Sequence, residues 1–481
     1  MTSSDSEESL ADRPAKGGRI PIYGPEFAAD PQRVYAELRS YGPVAPVELS
    51  PGVPGMLVTG YEAALEVLRD PGRFPRDARR WQEGIPADCP ILPIMAYRPT
   101  CNLTDDPLRS RLRDAVTDSL DRVDQNVLRD FVERSADELI GRIGPKGEAD
   151  LLADYAVILP LLVFNLLCGC PAELGDRMVA AIREVLKWEN SEEANMNLAL
   201  AVLELMALKR ENPGPNVTTW LMDHPAELTD EEVAHQLVML VGAGSELAQN
   251  LIANTLRLLL SDERFAGDLS GGNLTVEDAL DEVLWVDPPL ANFGVSYPVE
   301  PTSFHGVELP ADQPVVISFA AANNDPSTLT EHRAGNRAHL SWGVGPHTCP
   351  AQGHARVLAT VAIEKLLDAL PDMELAVPVD ELVWRPGFIQ RALSSLPVRF
   401  PVIPGPVPVP GDEAPQGEAH HSEAPHDETP HDEASPGETR QDEAPQEEAP
   451  AQPAAPAPEP PAQDPVPWWR RLTWWRTGKT G

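Results

Sequence analysis

Cys349 lies in the segment His339–Arg356, HLSWGVGPHTCPAQGHAR, whose residue types suit the binding of a metal by a thiolate. Gly343 and Gly345 allow a tight loop whose backbone can approach a flat ligand closely. Pro350 follows the cysteine at a position that is favoured at the start of a helix, where free backbone N–H groups stabilise a thiolate. The pattern predicts a strong anionic axial ligand. A Gly-rich turn with an incidental buried thiol is the alternative.

Two further sets of residues could act on a bound ligand. Arg109 and Arg113 are one turn apart in a predicted helix, so their side chains face the same side and could clamp two carboxylates. A solvated basic face would give the same spacing. Ser245 and Glu246 place a hydroxyl and a carboxylate in the longest predicted helix, where they could transfer protons. A buried structural carboxylate is the alternative for Glu246.

The cysteine content and the charge restrict the function classes. The 481 residues include five cysteines, without a Cys-x-x-Cys pair or a zinc-finger spacing. Cys168 and Cys170 lie in an apolar stretch and are predicted to be buried thiols. The net charge of −37 argues against a broad nucleic-acid-binding surface. Neither a signal peptide nor an apolar segment long enough to span a bilayer is found, so we expect a cytoplasmic protein.

The elements that must position these residues are mainly helices. Apolar periodicity predicts helices over Asp30–Ser40, Tyr61–Arg69, Leu108–Leu120, about Asp230–Leu260 and Pro350–Leu370, with others between 126 and 210. Strand-like segments are Pro43–Leu49, Met56–Thr59, His305–Leu309, Pro314–Ser318 and part of Arg391–Phe400. The Pro-rich segment from Arg79 to Asn102 is predicted to be a long functional loop. Together the elements predict a mostly α-helical domain with small β-sheets.

The cysteine loop resembles the haem-binding loop of the cytochrome P450 family, whose pattern is Phe-Gly-x-Gly-x-His-x-Cys-x-Gly with Ala-Arg a few residues later. Its positions are filled by Trp342, Gly343, Gly345, His347 and Cys349, with Ala351 in place of the last glycine and Ala355-Arg356 after it. The resemblance implies that Cys349 is the axial ligand of a haem iron and that haem b is the cofactor.

Other segments resemble the same family in its order along the chain. Asp105–Arg113 resembles the start of the C helix, where a His and an Arg four residues apart bind the haem propionates. Arg109 stands in the His position and Arg113 in the Arg position. Ala320–Pro326 and Leu396–Phe400 resemble segments of soluble bacterial members. The resemblance implies the cytochrome P450 fold, an α-helical haem domain plus a peripheral β region, over residues 21–403.

The first departure from the family pattern concerns proton delivery. The family usually has an acid followed by Thr, and the Thr helps to feed protons to bound dioxygen. Here Glu246 is followed by Leu247, which carries no hydroxyl. Ser245 or a chain of water molecules would have to substitute, although a neighbouring residue on a helix points about 100° away.

Two further departures concern cations. The Glu-x-x-Arg motif of the K helix reads Glu282 to Trp285, as in a bacterial branch of the family that lacks this Arg. We expect Glu282 to pair with Arg333 or with the indole N–H of Trp285, because a buried underpaired carboxylate is costly. Ser296 stands near the position where the family has another Arg that binds a propionate.

The resemblance implies a monooxygenase that inserts one oxygen atom from dioxygen into an apolar small molecule. Electrons would come from NAD(P)H through a reductase and a ferredoxin, and Glu246 and Ser245 would be the catalytic residues. Residues 80–100, Val241–Leu247 and Leu290–Val295 would line the substrate pocket. A haem-binding protein of this type with weak or no oxygenase activity, acting through partner or membrane docking of its tail, is one alternative. A peroxide-driven or reductive haem enzyme is another.

The two ends of the chain differ in composition from the middle. Residues 1–20 are predicted to be a disordered lead. Residues 404–467 are acidic and rich in Pro, and the segment 401–467 holds 18 of the 52 prolines, which predicts an extended linker. Residues 468–481 interleave tryptophans with arginines, from Trp468 to Trp475. They could dock on the inner face of a membrane, bind a partner or fold back onto the acidic domain.

Overall fold

The computed structural model describes residues 18–186, 191–262, 264–265, 274–328 and 335–403. Its α-helices are α1 (Gly24–Ala29), α2 (Pro31–Arg39), α3 (Tyr61–Arg69), α4 (Arg79–Glu83), α5 (Leu92–Met95), α6 (Leu108–Asp121), α7 (Gln125–Ile143), α8 (Ile158–Cys168), α9 (Ala172–Leu186), α10 (Ser191–Glu211), α11 (Val217–Met222), α12 (Asp230–Ser261), α13 (Val276–Val286), α14 (Phe319–Asn323) and α15 (Gln352–Ala369). Shorter turns are 3₁₀-helical at Gly144–Lys146, Gly345–His347 and Val379–Glu381, and π-helical at Leu152–Ala156.

Small sheets lie beside these helices. The strands are β1 (Ile20–Pro21), β2 (Val44–Ser50), β3 (Val53–Val58), β4 (Glu148–Asp150), β5 (Asn292–Ser296), β6 (Thr302–Phe304), β7 (Val307–Leu309), β8 (Val315–Ser318), β9 (Glu374–Leu375) and β10 (Pro397–Arg399). One sheet has the order β1-β2-β3-β8-β5, a second the order β4-β10-β9, and β6 pairs with β7. The predicted fold class, mostly α with small sheets, is confirmed.

Helix α12 is the central helix, and its start follows from local sequence. The Thr229 hydroxyl accepts the N–H of Glu232 (3.2 Å), and the Glu232 carboxylate accepts the N–H of Thr229 (2.8 Å), which forms a capping box. Apolar residues in its second half are buried in one cluster with α13 and α15. Gly244 lets α8 approach, because a Cβ there would come within 2.2 Å of the Phe164 ring.

The structure corrects several predicted boundaries. The helix after Cys349 begins at Gln352, two residues later than Pro350. The segment from Arg79 to Asn102 contains the short helices α4 and α5 and is otherwise irregular. Strand β5 was not predicted, and Ile20, in the predicted lead, pairs with Val47 of β2. No helix among the described residues combines the length and the apolar character needed to cross a membrane.

Candidate functional site

Cys349 lies at the end of a loop that folds back on itself. Its backbone N–H donates to the carbonyl of Trp342 (2.7 Å), which closes the loop around the intervening residues. Gly343 and Gly345 have φ angles of +71° and +74°, which other residues adopt only with strain. The two glycines are therefore required by the path of the loop that ends at Cys349.

Close packing within the protein gives a second reason for these glycines. A Cβ at Gly345 would lie 2.8 Å from the backbone oxygen of Leu68, at the end of α3. A Cβ at Gly343 would lie 3.1 Å from the backbone oxygen of His347. The sequence explanation was the close approach of a flat ligand, whereas these contacts are with α3 and with the loop itself.

The surroundings of Cys349 have opposing effects on the pKa of its thiol. Burial raises the pKa of Cys349, because the thiolate loses hydration. The backbone N–H of Ala351 and the positive charge of Arg113 lower it. The charge of Arg113 therefore supplements the free N–H at the start of α15, which the sequence indicated. A bound metal cation would keep a coordinating thiol deprotonated.

Arg109 and Arg113 of α6 both reach this loop. Arg109 Nη1 donates to the carbonyl of Pro346 (3.0 Å), and Arg113 donates to the carbonyl of Thr348. These two carbonyls flank His347 in the chain. Arg109 also pairs with Asp106 at 3.0 Å. The arginine pair and the cysteine loop, more than 230 residues apart, thus form one cationic site.

His347 lies among these cations with a buried imidazole. Neither ring nitrogen has a hydrogen-bond partner among the described residues. Burial lowers the pKa of His347 to about 3, and the charges of Arg76, Arg109 and Arg113 add to that effect. A neutral imidazole with unused polar atoms next to the guanidinium groups of Arg109 and Arg113 suits a ligand that carries carboxylates.

The residues proposed for proton transfer already have protein partners. Glu246 pairs with Arg385 at 3.3 Å and accepts from Gln390 Nε2 at 2.7 Å. The Ser245 hydroxyl donates to the carbonyl of Val241, one turn earlier (2.5 Å). The partner that the structural interpretation of Glu246 required is therefore present in the segment that precedes β10.

On α13, Trp285 stands where the family motif has an arginine, and the partner of Glu282 differs from the one expected. Glu282 pairs with the exposed Arg264 at 3.4 Å. The indole N–H of Trp285 donates to the carbonyl of Asn336 (2.7 Å) rather than to Glu282, so that alternative is wrong. Arg333, the other expected partner, lies outside the described residues.

The buried charge network on this helix uses other residues. Asp281 binds Arg356 Nη1 at 2.6 Å and Arg337 Nε at 2.8 Å. Glu277, one turn earlier, contacts both of these arginines and the Thr360 hydroxyl. Helix α13 is thereby tied to α15, which follows Cys349. The Ala-Arg pair of the sequence motif was the only signal that pointed to Arg356.

The residues at this site fit a haem. A thiol lies at the end of the loop, and two guanidinium groups of α6 bind the loop on either side of an imidazole that has no partner among the described residues. The Trp342 indole N–H is also buried without a partner among the described residues. On α12, Ala243 is exposed, whereas Val241 and Ser245, which lie on the other side of the helix, are buried. A thiol and cations for two carboxylates match the chemistry of a haem.

Comparison with curated proteins gives full-length relatives. Cytochrome P450 monooxygenase PikC from Streptomyces venezuelae is 32% identical over 399 residues, which cover 78% of this chain and 92% of that protein. Vitamin D(3) 25-hydroxylase from Pseudonocardia autotrophica is 31% identical over 395 residues, covering 78% of this chain and 95% of the relative. No family model matches the chain.

Solved structures show the same likeness. CYP154A1 from Streptomyces coelicolor A3(2) superposes with a TM-score of 0.70 at 26% identity, covering 79% of this chain and 100% of that chain. The myxobacterial cytochrome P450 CYP267B1, in complex with myristic acid, superposes with a TM-score of 0.70 at 26% identity. This likeness covers 79% of this chain and 98% of that chain. Both likenesses extend over nearly the whole of the solved chains.

Proposed function

This chain belongs to the cytochrome P450 family, whose cofactor is haem, and we propose that it inserts one oxygen atom from dioxygen into an apolar small molecule. The relatives are named monooxygenases and hydroxylases, so a haem monooxygenase is the general activity. The observation that carries the proposal for the site is the convergence of Arg109 and Arg113 on the two carbonyls beside His347, next to Cys349.

In this proposal Cys349 would bind the haem iron through its thiolate. Arg113 and the Ala351 N–H stabilise the negative charge of its sulfur. Trp342, Gly343 and Gly345 hold the loop that presents the ligand, since the carbonyl of Trp342 accepts the N–H of Cys349 and both glycines lie between these two residues. When bound, the haem supplies dioxygen activation at a thiolate-ligated iron.

Three side chains would hold the carboxylates of the haem. Arg109 and Arg113 offer guanidinium groups from α6, and His347 offers a buried ring nitrogen without a partner in the described part of the chain. The remaining N–H groups of a guanidinium can bind a carboxylate while one N–H keeps its bond to the loop. The same bonds would therefore fix both the cysteine loop and the cofactor.

Proton handling is proposed for Glu246 and Ser245 on α12. Glu246 would carry a proton on a carboxylate oxygen, and its bonds to Arg385 and Gln390 would fix its position. The Ser245 hydroxyl would accept a hydrogen bond from a water molecule through its free lone pair, because its own hydrogen is donated to Val241. Leu247 is half-buried and supplies no hydroxyl.

The substrate is proposed to be apolar because two of the three predicted pocket segments, residues 80–100 and Leu290–Val295, meet in one apolar cluster. Ala291 and Val295 pack in that cluster with Trp81, Ile91 and Met95. The myristic acid complex of CYP267B1 provides a precedent in a similar protein for an apolar ligand. Electrons are proposed to come from NAD(P)H through a reductase and a ferredoxin.

The segments after residue 403 are assigned from sequence alone. We propose that 404–467 is a linker and that 468–481 docks on a protein partner or a membrane surface, through its alternating Trp and Arg. The alternative function, a haem protein with weak oxygenase activity acting through this tail, gains no support from relatives that are named monooxygenases and hydroxylases.

The proposed function is tested with the carbon monoxide difference spectrum of the reduced protein and its haem content. Wild type should give the red-shifted Soret band of a thiolate ligand, and Cys349→Ala should lose it. Cys168→Ala, at another buried free cysteine, is the matched control and should keep the band. An unchanged band in Cys349→Ala would contradict the proposal.

A further inference from the structure

Arg76 is a buried arginine to which the sequence gave no role. Only 6% of its surface is exposed, and its Nη1 donates to the carbonyl of Val295 in β5 (3.0 Å). Its backbone is fixed separately, because the Asp105 carboxylate accepts the N–H groups of Arg76 (2.9 Å) and Asp77 (3.1 Å). Arg76 is thus anchored at its backbone and extends a guanidinium to β5.

Strand β5 has small residues next to this guanidinium. Gly294 has a φ of +66°, and a Cβ built on it would lie 3.6 Å from Arg76 Nη1. Ser296 is buried, and its hydroxyl has no hydrogen-bond partner within the described ranges. Ser296 is also the position where the family resemblance leads one to expect an arginine. Strand β5 therefore has a serine where the family has a cation, and the guanidinium of Arg76 contacts the same strand.

Asp105 connects Arg76 to the cofactor site. Its carboxylate accepts the backbone N–H of Arg76 (2.9 Å), and its carbonyl accepts the backbone N–H of Arg109 (2.9 Å). Burial lowers the pKa of Arg76 to about 10, so the group remains charged at neutral pH. The Asp105 carboxylate, the nearby acid, is bound to backbone N–H groups. A buried cation whose nearby acid is already bound to backbone N–H groups calls for a further anion.

We propose that Arg76 binds a propionate carboxylate of the haem in place of the strand cation that is missing at Ser296. The cation that binds the propionate would then come from the segment before α4 and not from β5. The carbonyl of Val295 would hold the guanidinium of Arg76 in position. This inference rests on the proposed function, because it requires a haem held at Cys349. Arg76 is then a cofactor-binding residue outside the family pattern.

Arg76 is buried, whereas the other arginines of the same segment are not. Arg73, Arg79 and Arg80 are all exposed. Arg79 pairs with Asp77 at 2.5 Å, and Arg80 pairs with Asp312 at 2.8 Å. Arg80→Ala therefore removes a positive charge from the same segment without touching the site, which makes it the matched control.

The test measures haem loss and reduction potential in the haem-loaded protein. Arg76→Gln removes the charge and keeps an N–H donor for Val295. The transfer of haem to excess apomyoglobin should become faster by about tenfold or more, the factor that corresponds to about 1.4 kcal/mol. The midpoint potential of the haem iron should become more negative, because a nearby positive charge is lost. Arg80→Ala should change neither quantity.

A charge relocation separates cofactor binding from damage to the fold. The double variant Arg76→Gln/Ser296→Arg returns a cation to β5 and should restore slow haem loss and the wild-type potential. Haem loss from Arg76→Gln within twofold of wild type would overturn the inference. So would fast loss with an unchanged potential and no rescue by Ser296→Arg, since that pattern indicates structural damage.

The two proposals fail in different ways. If wild type itself lacks the thiolate-type spectrum, or Cys349→Ala keeps it, the proposed function fails. If wild type has that spectrum and Arg76→Gln loses haem no faster than Arg80→Ala, only the role of Arg76 fails.

Discussion

Residue 247 of α12 is the position at which the chain departs most directly from the chemistry of its family. The hydroxyl of Ser245, the nearest alternative, donates to Val241, and both carboxylate oxygens of Glu246 have partners in Arg385 and Gln390. A proton donor must lie within hydrogen-bond reach of the group it serves, directly or through one water. The contacts of Glu246 suit a fixed carboxylate, and Leu247 leaves the adjacent position without a donor.

A restored hydroxyl tests the importance of this position. We expect Leu247→Thr to lower the share of NAD(P)H electrons that end in hydrogen peroxide, because a positioned proton donor is typically worth at least about 100-fold in rate. The measurement compares peroxide formed with NAD(P)H consumed, using a surrogate ferredoxin and reductase and an apolar compound that shifts the Soret band.

Leu247→Ala is the control, since it removes the isobutyl group without adding a hydroxyl. If the two variants release the same share of peroxide, the missing hydroxyl is not what limits proton delivery in this protein.

At the scale of elements, a cluster of charged side chains links α13 to α15, the helix that follows Cys349. Asp281 and Glu277 lie one turn apart on α13, and Arg356 of α15 contacts both. The side chain of Asp281 is only 6% exposed and that of Arg356 only 11%, so water replaces little of this interaction if one partner is removed. By contrast, Arg264 is 62% exposed where it pairs with Glu282. The buried cluster is therefore the energetically important one.

Removal of Arg356 should destabilise the protein. We expect Arg356→Ala to reduce the free energy of unfolding by about 3 kcal/mol, the lower end for breaking a buried pair, because Arg337 remains beside both acids. Denaturant unfolding, followed by circular dichroism and by the Soret band, measures this change.

Arg264→Ala is the matched control and should cost at most about 1 kcal/mol, as exposed pairs do. Equal losses of unfolding free energy in the two variants would show that the α13–α15 cluster stabilises the protein no more than the exposed pair does.

At the scale of the whole molecule, buried histidines make stability depend on pH. Burial lowers the pKa of both His235 and His339 to about 4. The unfolded chain would protonate these groups near their ordinary pKa of 6.5. Between these values the unfolded state binds more protons than the folded state, so stability falls as the pH falls through this window.

The expected loss between pH 7.5 and pH 5 is about 2 kcal/mol for each histidine. His235→Gln/His339→Gln should show a weaker pH dependence of the denaturant midpoint than wild type, measured on the haem-loaded protein. His420→Gln/His421→Gln, in the acidic Pro-rich segment, is the control. An identical pH dependence in all three proteins would contradict the assignment.

The domain boundary is a second property of the whole molecule. The described chain ends at Ile403, whose N–H donates to the carbonyl of Gly144 (3.1 Å). We expect a chain that ends at residue 405 to keep the haem spectrum and the unfolding midpoint of the full chain, because the apolar core is already formed by the described residues up to Ile403. Loss of haem on truncation would place part of the haem domain in the tail.

Deletion of residues 468–481 alone tests whether this segment docks on a membrane surface. Co-sedimentation with anionic liposomes should fall if the Trp and Arg residues bind a membrane surface. Unchanged retention would reject the membrane and leave a protein partner.

The sequence by itself determined the features that depend on neighbours within a few residues. Thr229 and Glu232 are close enough in sequence to form the box that starts α12. The residues around Cys349 and the one-turn spacing of Arg109 and Arg113 predicted a thiolate ligand and a clamp for carboxylates, and the family resemblance implied that both serve a haem. Periodicity and motif spacing carry this information because helices and turns are built from contacts within about four residues.

Only the tertiary structure decided which distant residues become partners. Arg76 reaches Val295 across 219 positions, and Glu246 binds Gln390 across 144. The sequence assigned the K-helix role to Glu282, whereas packing buries Asp281 and gives it Arg356. The reason is that a charged residue reveals neither its depth nor its partner through local spacing. Both depend on how α12, α13, α15 and β5 pack around the shared core.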